Sequence, residues 1–194
     1  METLRTFIAV DFPIEIKAKI EEITTYFNTQ LPSKVIKWVD ANNIHLTLKF
    51  MGETPANQLE PIKRAMQQVV TTFPIFDVAI ENLGMYPNAK KPRVIWLGIS
   101  CEENLISLYK KLDQALKEIG IQPERRPFSP HLTVGRVRRS ADPESVIIVG
   151  KTLSEFKVST LGRVTINEVV YYQSELTPQG PNYTILQSTP LNQV

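Results

Sequence analysis

Both histidines of this 194-residue chain sit in the same four-residue frame. His45-Leu46-Thr47-Leu48 and His131-Leu132-Thr133-Val134 each read His, apolar, Thr, apolar. Such alternation is a strand pattern, because successive strand side chains point to opposite faces. A strand of this kind places His and Thr on one face, roughly 6.5 to 7 Å apart, and turns its apolar residues to the other. With one copy in each half, the chain is constrained to a fold that presents two like-facing strands. Imidazole changes charge near neutral pH, so a matched pair suits an acid and a base.

The flanking pattern is compatible with that constraint. Leu4 to Asp11 is a candidate strand, and Pro13 opens a helix with Ile16, Ile20, Ile23 and Phe27 at helical spacing. A short strand, Val35 to Val39, passes through an Asn42-Asn43 turn into the His45 strand, whose Leu46, Leu48 and Phe50 should pack under helices. Pro55 begins a second helix with Leu59, Ile62, Met66, Val69 and Phe73 on one face. Strands are expected near Phe76 to Leu83 and Arg93 to Ser100. The third helix carries Leu105, Leu108, Leu112, Leu116 and Ile119, and Gly120 ends it. After the His131 strand come an irregular segment, Pro143 to Leu153, and strands near Arg163 to Ser174 and Tyr183 to Ser188. Helices interspersed among hairpin-like strands predict an α+β fold with antiparallel sheets. No Gly/Ser-rich or Pro-rich tract divides the halves. One bilobal domain over residues 1–194 is expected, its lobes related by a pseudo-twofold axis and its two antiparallel sheets facing a central cleft, with helices outside.

Composition narrows the partners. A net charge of +2 is too small for bulk coating of nucleic acid, but basic residues cluster at Lys90, Lys91 and Arg93, at Arg125 and Arg126, and at Arg136, Arg138 and Arg139. The single cysteine, Cys101, excludes a disulfide framework and a cysteine-rich metal site. The N-terminus lacks a secretion signal, and no apolar run approaches the roughly 18 to 20 residues of a membrane span. A cytoplasmic monomer without a membrane partner is the expectation.

Two histidines and two threonines facing one groove can open a cyclic phosphate. A neutral imidazole accepts a proton from the nucleophile while a charged one donates to the leaving group. Hydroxyls and a nearby Arg hold the phosphoryl oxygens. A zinc site would need Asp or Glu from elsewhere in the chain, and no Gly-x-Ser-x-Gly elbow or Walker loop is present. No metal or other cofactor is expected. A non-catalytic sensor of phosphate ends is the competing class, although binding alone needs no acid–base pair.

At these residues the sequence resembles the two-histidine (2H) phosphoesterases, most closely the LigT-like RNA 2′,3′-cyclic phosphodiesterases, once called 2′-5′ RNA ligases. Arg5 to Ala9 resembles the family's first strand, and Trp38 to Glu53 its first motif block. Pro92 to Gly98 resembles the middle strand, Phe128 to Val137 the second block, and Ser174 to Tyr183 the C-terminal end. Coverage is essentially the whole chain.

The resemblance implies the bilobal fold and hydrolysis of RNA 2′,3′-cyclic phosphate ends to 2′-phosphomonoesters. His45 would be the proton donor and His131 the proton acceptor, while Thr47, Thr133 and Arg136 would bind phosphate. The sequence alone does not say which histidine is the acid. Strict alternation puts Arg136 on the helix side, and a bulge at Gly135 would re-aim it. Phe7, Lys49, Tyr86 and Trp96 are further cleft candidates; the family more often has Phe near position 86. ATP-independent 2′-5′ ligation uses the same residues in reverse, and another cyclic phosphate substrate is open within the same chemistry.

Overall fold

The computed structural model describes residues 2–100, 102–158, 160–178 and 180–193. Cys101 lies outside the described residues. In chain order the elements are β1 (Thr3–Asp11), α1 (Ile14–Gln30), β2 (Ile36–Trp38), β3 (His45–Pro55), α2 (Leu59–Val70), β4 (Phe76–Tyr86), β5 (Val94–Ile99), α3 (Glu103–Glu118), β6 (His131–Val137), α4 (Pro143–Glu155), β7 (Gly162–Ile166), β8 (Glu168–Leu176) and β9 (Pro181–Pro190). Every ladder between these strands is antiparallel.

The helices form where apolar residues recur every three or four positions. Ile16, Ile20 and Phe27 are buried on α1, and Leu105, Leu108, Leu112 and Leu116 on α3. Gly120 stops α3 with φ +89°, a conformation that suits glycine. The Ile121 N–H then returns to the Leu116 carbonyl and the Gly120 N–H to that of Lys117, capping the last turn. Between Pro55 and α2 the chain first makes a 3-10 turn, Ala56–Gln58, so the helix starts later than Pro55.

The strand order is β7-β4-β5-β6-β3-β1-β8-β9, with β2 added on β6. The two expected sheets are the halves of one continuous sheet, joined where Leu46 of β3 pairs with Leu132 of β6. Each half-chain runs strand, helix, histidine strand, helix: β1, α1, β3, α2 and then β5, α3, β6, α4. The first helix of each unit crosses to the opposite half of the sheet. Thus Lys19 of α1 donates to the Leu161 carbonyl beside β7, while Lys49 of β3 reaches Asp113 of α3. One main core lies between sheet and helices. A smaller cluster of Phe7, Ala9, Val170 and Tyr172 lies on the other face.

Three local expectations need correction. Pro143 to Leu153 is helical rather than irregular: the Asp142 carboxylate accepts from the Ser145 N–H, Pro143 occupies the first turn, and Val149 and Leu153 are buried. The strand expected over Arg163 to Ser174 is two, β7 and β8, interrupted at Asn167. The third correction concerns parity in β3. Lys49 pairs with Ile8 but Thr47 pairs with Ala9, so Leu48 is an extra residue in the ladder. Beyond it the faces exchange. Phe50, expected in the core, is 50% exposed on the cleft side, and Lys49, a cleft candidate, is buried on the helix side.

Lys49 is retained there by two acceptors. Its Nζ donates to Asp113 Oδ1 at 2.5 Å and to the Gln122 carbonyl at 2.7 Å. Replacing Lys49 with Met leaves both acceptors short of a donor, at a cost of about 1–3 kcal/mol. Urea denaturation is expected to show that loss, while turnover at saturating substrate stays at the wild-type value. A turnover collapse in folded K49M would place Lys49 in the cleft after all.

Candidate active site

The residues around the two histidines are arranged by backbone geometry first. Before β3, the Asp40 carboxylate accepts from the Asn42 N–H and caps the 3-10 turn Ala41–Asn43. That turn aims the Asn43 carbonyl at His45, whose Nδ1 lies 2.8 Å from it. The Asn43 side chain in turn donates to the Pro181 carbonyl at the start of β9. His131 repeats the arrangement: its Nδ1 lies 2.7 Å from the carbonyl of Ser129, again two residues upstream. A carbonyl can only accept, so both rings carry their proton on Nδ1 when neutral and leave Nε2 free to accept.

The Leu46–Leu132 pair sets the four key side chains around one point. In an antiparallel register, the residue before one partner faces the residue after the other. His45 therefore falls on the Thr133 side and His131 on the Thr47 side. All four line one cleft of about 1290 Å³, together with Arg136, Arg5, Phe7 and Phe50. The leucines themselves are 1% and 0% exposed on the opposite face.

Arg136 reaches the cleft through a bulge. Ile95 pairs with Gly135 and Trp96 with Thr133, so Val134 is the extra residue in β6. The bulge anticipated at Gly135 thus involves Val134 and Gly135 together. Gly135 is needed there, since a Cβ would meet the Trp38 ring at 2.8 Å. The extra residue falls at the same step after each histidine, Leu48 in β3 and Val134 in β6. Consequently Phe50 is the counterpart of Arg136, each five residues beyond its histidine. Where the second half offers a guanidinium, the first offers a phenyl ring with the Arg5 guanidinium 4.6 Å above its centre.

The two rings have different surroundings. Phe7 stacks on His45 with centroids 4.7 Å apart, and Tyr183 meets it edge-on at 5.4 Å. Tyr172 stacks behind Phe7 at 5.2 Å; burial first, and then the Asp11 charge, push its phenol up to about 12. Burial likewise lowers His45 below its ordinary 6.5, partly opposed by the Asn43 carbonyl and the Asp11 carboxylate; Lys17 adds to the lowering. Asp11 is His45's neighbour across the β1–β3 ladder and is paired with Lys17 at 2.7 Å. Around His131 stand Tyr86 at 5.3 Å and Trp96 at 6.2 Å, and the Tyr86 hydroxyl shares a 2.9 Å hydrogen bond with Ser129.

Of the residues expected in the site, His45, Thr47, His131, Thr133, Arg136 and Phe7 line the cleft, and Tyr86 and Trp96 pack on His131. Lys49 does not. Arg5, Asp11, Lys17, Lys37 and the Tyr172–Tyr183 pair are additions. Arg5 and Asp11 were within reach of simple alternation, because they share parity with Phe7 on β1. Lys37 is placed by its pairing with Arg136, a tertiary fact. Among the described residues no three His, Cys, Asp or Glu side chains are grouped to hold a metal ion.

The LigT-like phosphoesterase model matches residues 10–96 and again residues 97–183, with one His-x-Thr-x frame in each copy. The chain belongs to the LigT-like phosphoesterase family. It is 35% identical over 184 residues to an RNA 2′,3′-cyclic phosphodiesterase of Archaeoglobus fulgidus, covering 95% of this chain and 98% of the relative. Its fold is similar to that of a Thermus thermophilus protein, with a TM-score of 0.82, 25% identity, and 98% and 99% of the two chains covered. Escherichia coli LigT in complex with 3′-AMP is similar at a TM-score of 0.76 and 25% identity, over 99% of this chain and 100% of that one.

The position of His45 within this family's cleft gives a direct titration test. Replacing Asp11 with Asn removes the carboxylate that favours the charged ring and frees the Lys17 ammonium that opposes it. NMR titration of the ring is expected to place His45 below 6.5 in the wild type and lower still in D11N. An upward shift in D11N would mean that the Asp11 carboxylate does not favour the charged ring.

Proposed function

We propose that the chain hydrolyses 2′,3′-cyclic phosphate ends of RNA to 2′-phosphomonoesters, as a single bilobal unit over residues 1–194 that acts as a cytoplasmic monomer without metal or cofactor. The observation that carries the proposal is the pair of imidazoles, each with Nδ1 tied to the carbonyl two residues upstream and Nε2 left for a shared cleft. The curated relative's name points to the same substrate, and the 3′-AMP complex of E. coli LigT supports a nucleotide-sized ligand. The cleft is larger than the 300–1,000 Å³ typical of small-ligand sites, so a polymer end can enter it. No helix among the described residues is long and apolar enough to cross a membrane.

In this mechanism His131 Nε2 takes a proton from a water molecule, whose oxygen attacks phosphorus. The bond from phosphorus to O3′ breaks, and His45, entering protonated, donates its Nε2 proton to the departing O3′. The products are a 2′-phosphomonoester and a free 3′-hydroxyl. The spent protonation states, neutral at His45 and charged at His131, exchange with solvent. Thr47, Thr133 and Arg136 hold the non-bridging oxygens, where charge grows in the transition state. Burial favours neutral His45 in the empty cleft; the anionic cyclic phosphate, once bound beside it, draws the ring back toward the charged form that an acid must have.

Replacing either His45 or His131 with Ala is expected to cut turnover of a cyclic-phosphate RNA end by about 10²–10⁴-fold, the usual weight of a positioned acid or base. Circular dichroism should show both variants folded, and EDTA should leave the wild-type rate unchanged. Near-wild-type turnover in either folded variant would sink the proposal.

A further inference from the structure

Beside the catalytic cleft lies a second, smaller hollow of about 630 Å³, lined by Arg93, Val94, Arg136, Val137 and Arg139. Three of its five residues are arginines, all exposed, and none forms an ion pair with a carboxylate among the described residues. Arg136 lines both the hollow and the cleft. The backbone carrying these side chains is pinned. The Arg93 N–H donates to the Tyr86 carbonyl at 2.7 Å, and the Arg93 carbonyl accepts from Val137 at 3.0 Å. The Arg138 N–H, next to Arg139, donates to the Val35 carbonyl at 2.9 Å. Two basic clusters far apart in sequence, around Arg93 and around Arg139, therefore converge because β5 and β6 are ladder partners.

Three like charges around one hollow repel one another unless an anion lies between them. Guanidinium forks suit phosphate oxygens, and the other two lining residues, Val94 and Val137, carry no side-chain acceptor. Arg136 already faces the reacting phosphate in the cleft, so the next anion along the same strand would be met by Arg93 and Arg139. We propose that Arg93 and Arg139 form a second phosphate subsite, which holds the internal phosphodiester adjacent to the reacting end of the RNA. This rests on the RNA cyclic-phosphate reading above. It makes the enzyme a reader of strands rather than of cyclic mononucleotides.

The test compares wild type, R93Q/R139Q and R93K/R139K on 2′,3′-cyclic AMP and on an oligoadenylate ending in a 2′,3′-cyclic phosphate. For R93Q/R139Q the oligonucleotide KM is expected to rise about tenfold with kcat unchanged, as for loss of a charge-assisted contact. Its kcat/KM on cyclic AMP should stay at the wild-type value. The salt dependence of log KM for the oligonucleotide should weaken by about 0.7, the share of one neutralised phosphate on a single strand, and the Lys variant should restore most of it. Equal losses on both substrates would overturn the subsite, since Arg93 and Arg139 would then be acting through Arg136; an unchanged oligonucleotide KM would overturn it too. Fluorescence anisotropy with a labelled oligoadenylate 2′-phosphate separates this from the catalytic reading. If wild type turns over neither substrate, the catalytic reading fails. The subsite then stands or falls on whether R93Q/R139Q weakens that binding.

Discussion

One backbone pairing, Leu46 with Leu132, organises the site. Among the described residues it is the sole register contact between β3 and β6, and it joins the two halves of the sheet. Both leucines are fully enclosed on the helix side, at 1% and 0% exposure. Burial of two leucine side chains stabilises the pairing by roughly 3–6 kcal/mol. Parity then does the rest: with Leu46 and Leu132 inward, the residues on either side of each must face the cleft. A site of four residues drawn from positions 45 to 133 is thus fixed by a hydrophobic requirement rather than by any contact between the polar groups.

The bulges adjust what parity alone would dictate. A regular strand would send Arg136 into the core and Lys49 into the cleft, and it would bury Phe50. One extra residue after each Thr, Leu48 and Val134, reverses all three outcomes. Because both insertions occur at the same step, the twofold relation of the backbone survives while the side chains diverge. Arg136 faces the cleft from β6, and Phe50 with Arg5 above it faces the cleft from β3. Lys49, turned inward, is tolerable only because Asp113 and the Gln122 carbonyl receive its ammonium.

Most of the site was legible from the chain, because two residues in a period-two pattern carry their facing with them. The His/Thr pairs and the leucines behind them follow from alternation alone. Phe50 and Lys49 did not, since a bulge leaves no mark in an apolar-polar string; it is a property of two strands in register. The helix α4 is marked in the chain as well. Its Asp142-Pro143 start is a capping signal, but the run Val146 to Val149 is β-branched and masks the helical period. The internal repeat carried the answer, because α4 stands after β6 where α2 stands after β3. The hollow at Arg93 and Arg139 is a different case: nothing within either cluster says that they meet.

Symmetry of the backbone with asymmetry of the surroundings would let two like histidines take the unlike roles proposed above. Each ring is oriented by the same carbonyl contact, so neither differs in tautomer or reach. What differs is the medium. His45 is flanked by Phe7 and Tyr183, with Tyr172 behind Phe7, and its burial disfavours its charged form. In the proposed reaction its proton would be held most firmly with a phosphate between the rings, the moment at which a leaving oxygen needs it. His131 stands between Tyr86, Trp96 and the cleft. In the proposed reaction, an acid whose charge depends on bound substrate, facing a base with different neighbours, would give a duplicated scaffold a direction without altering either motif.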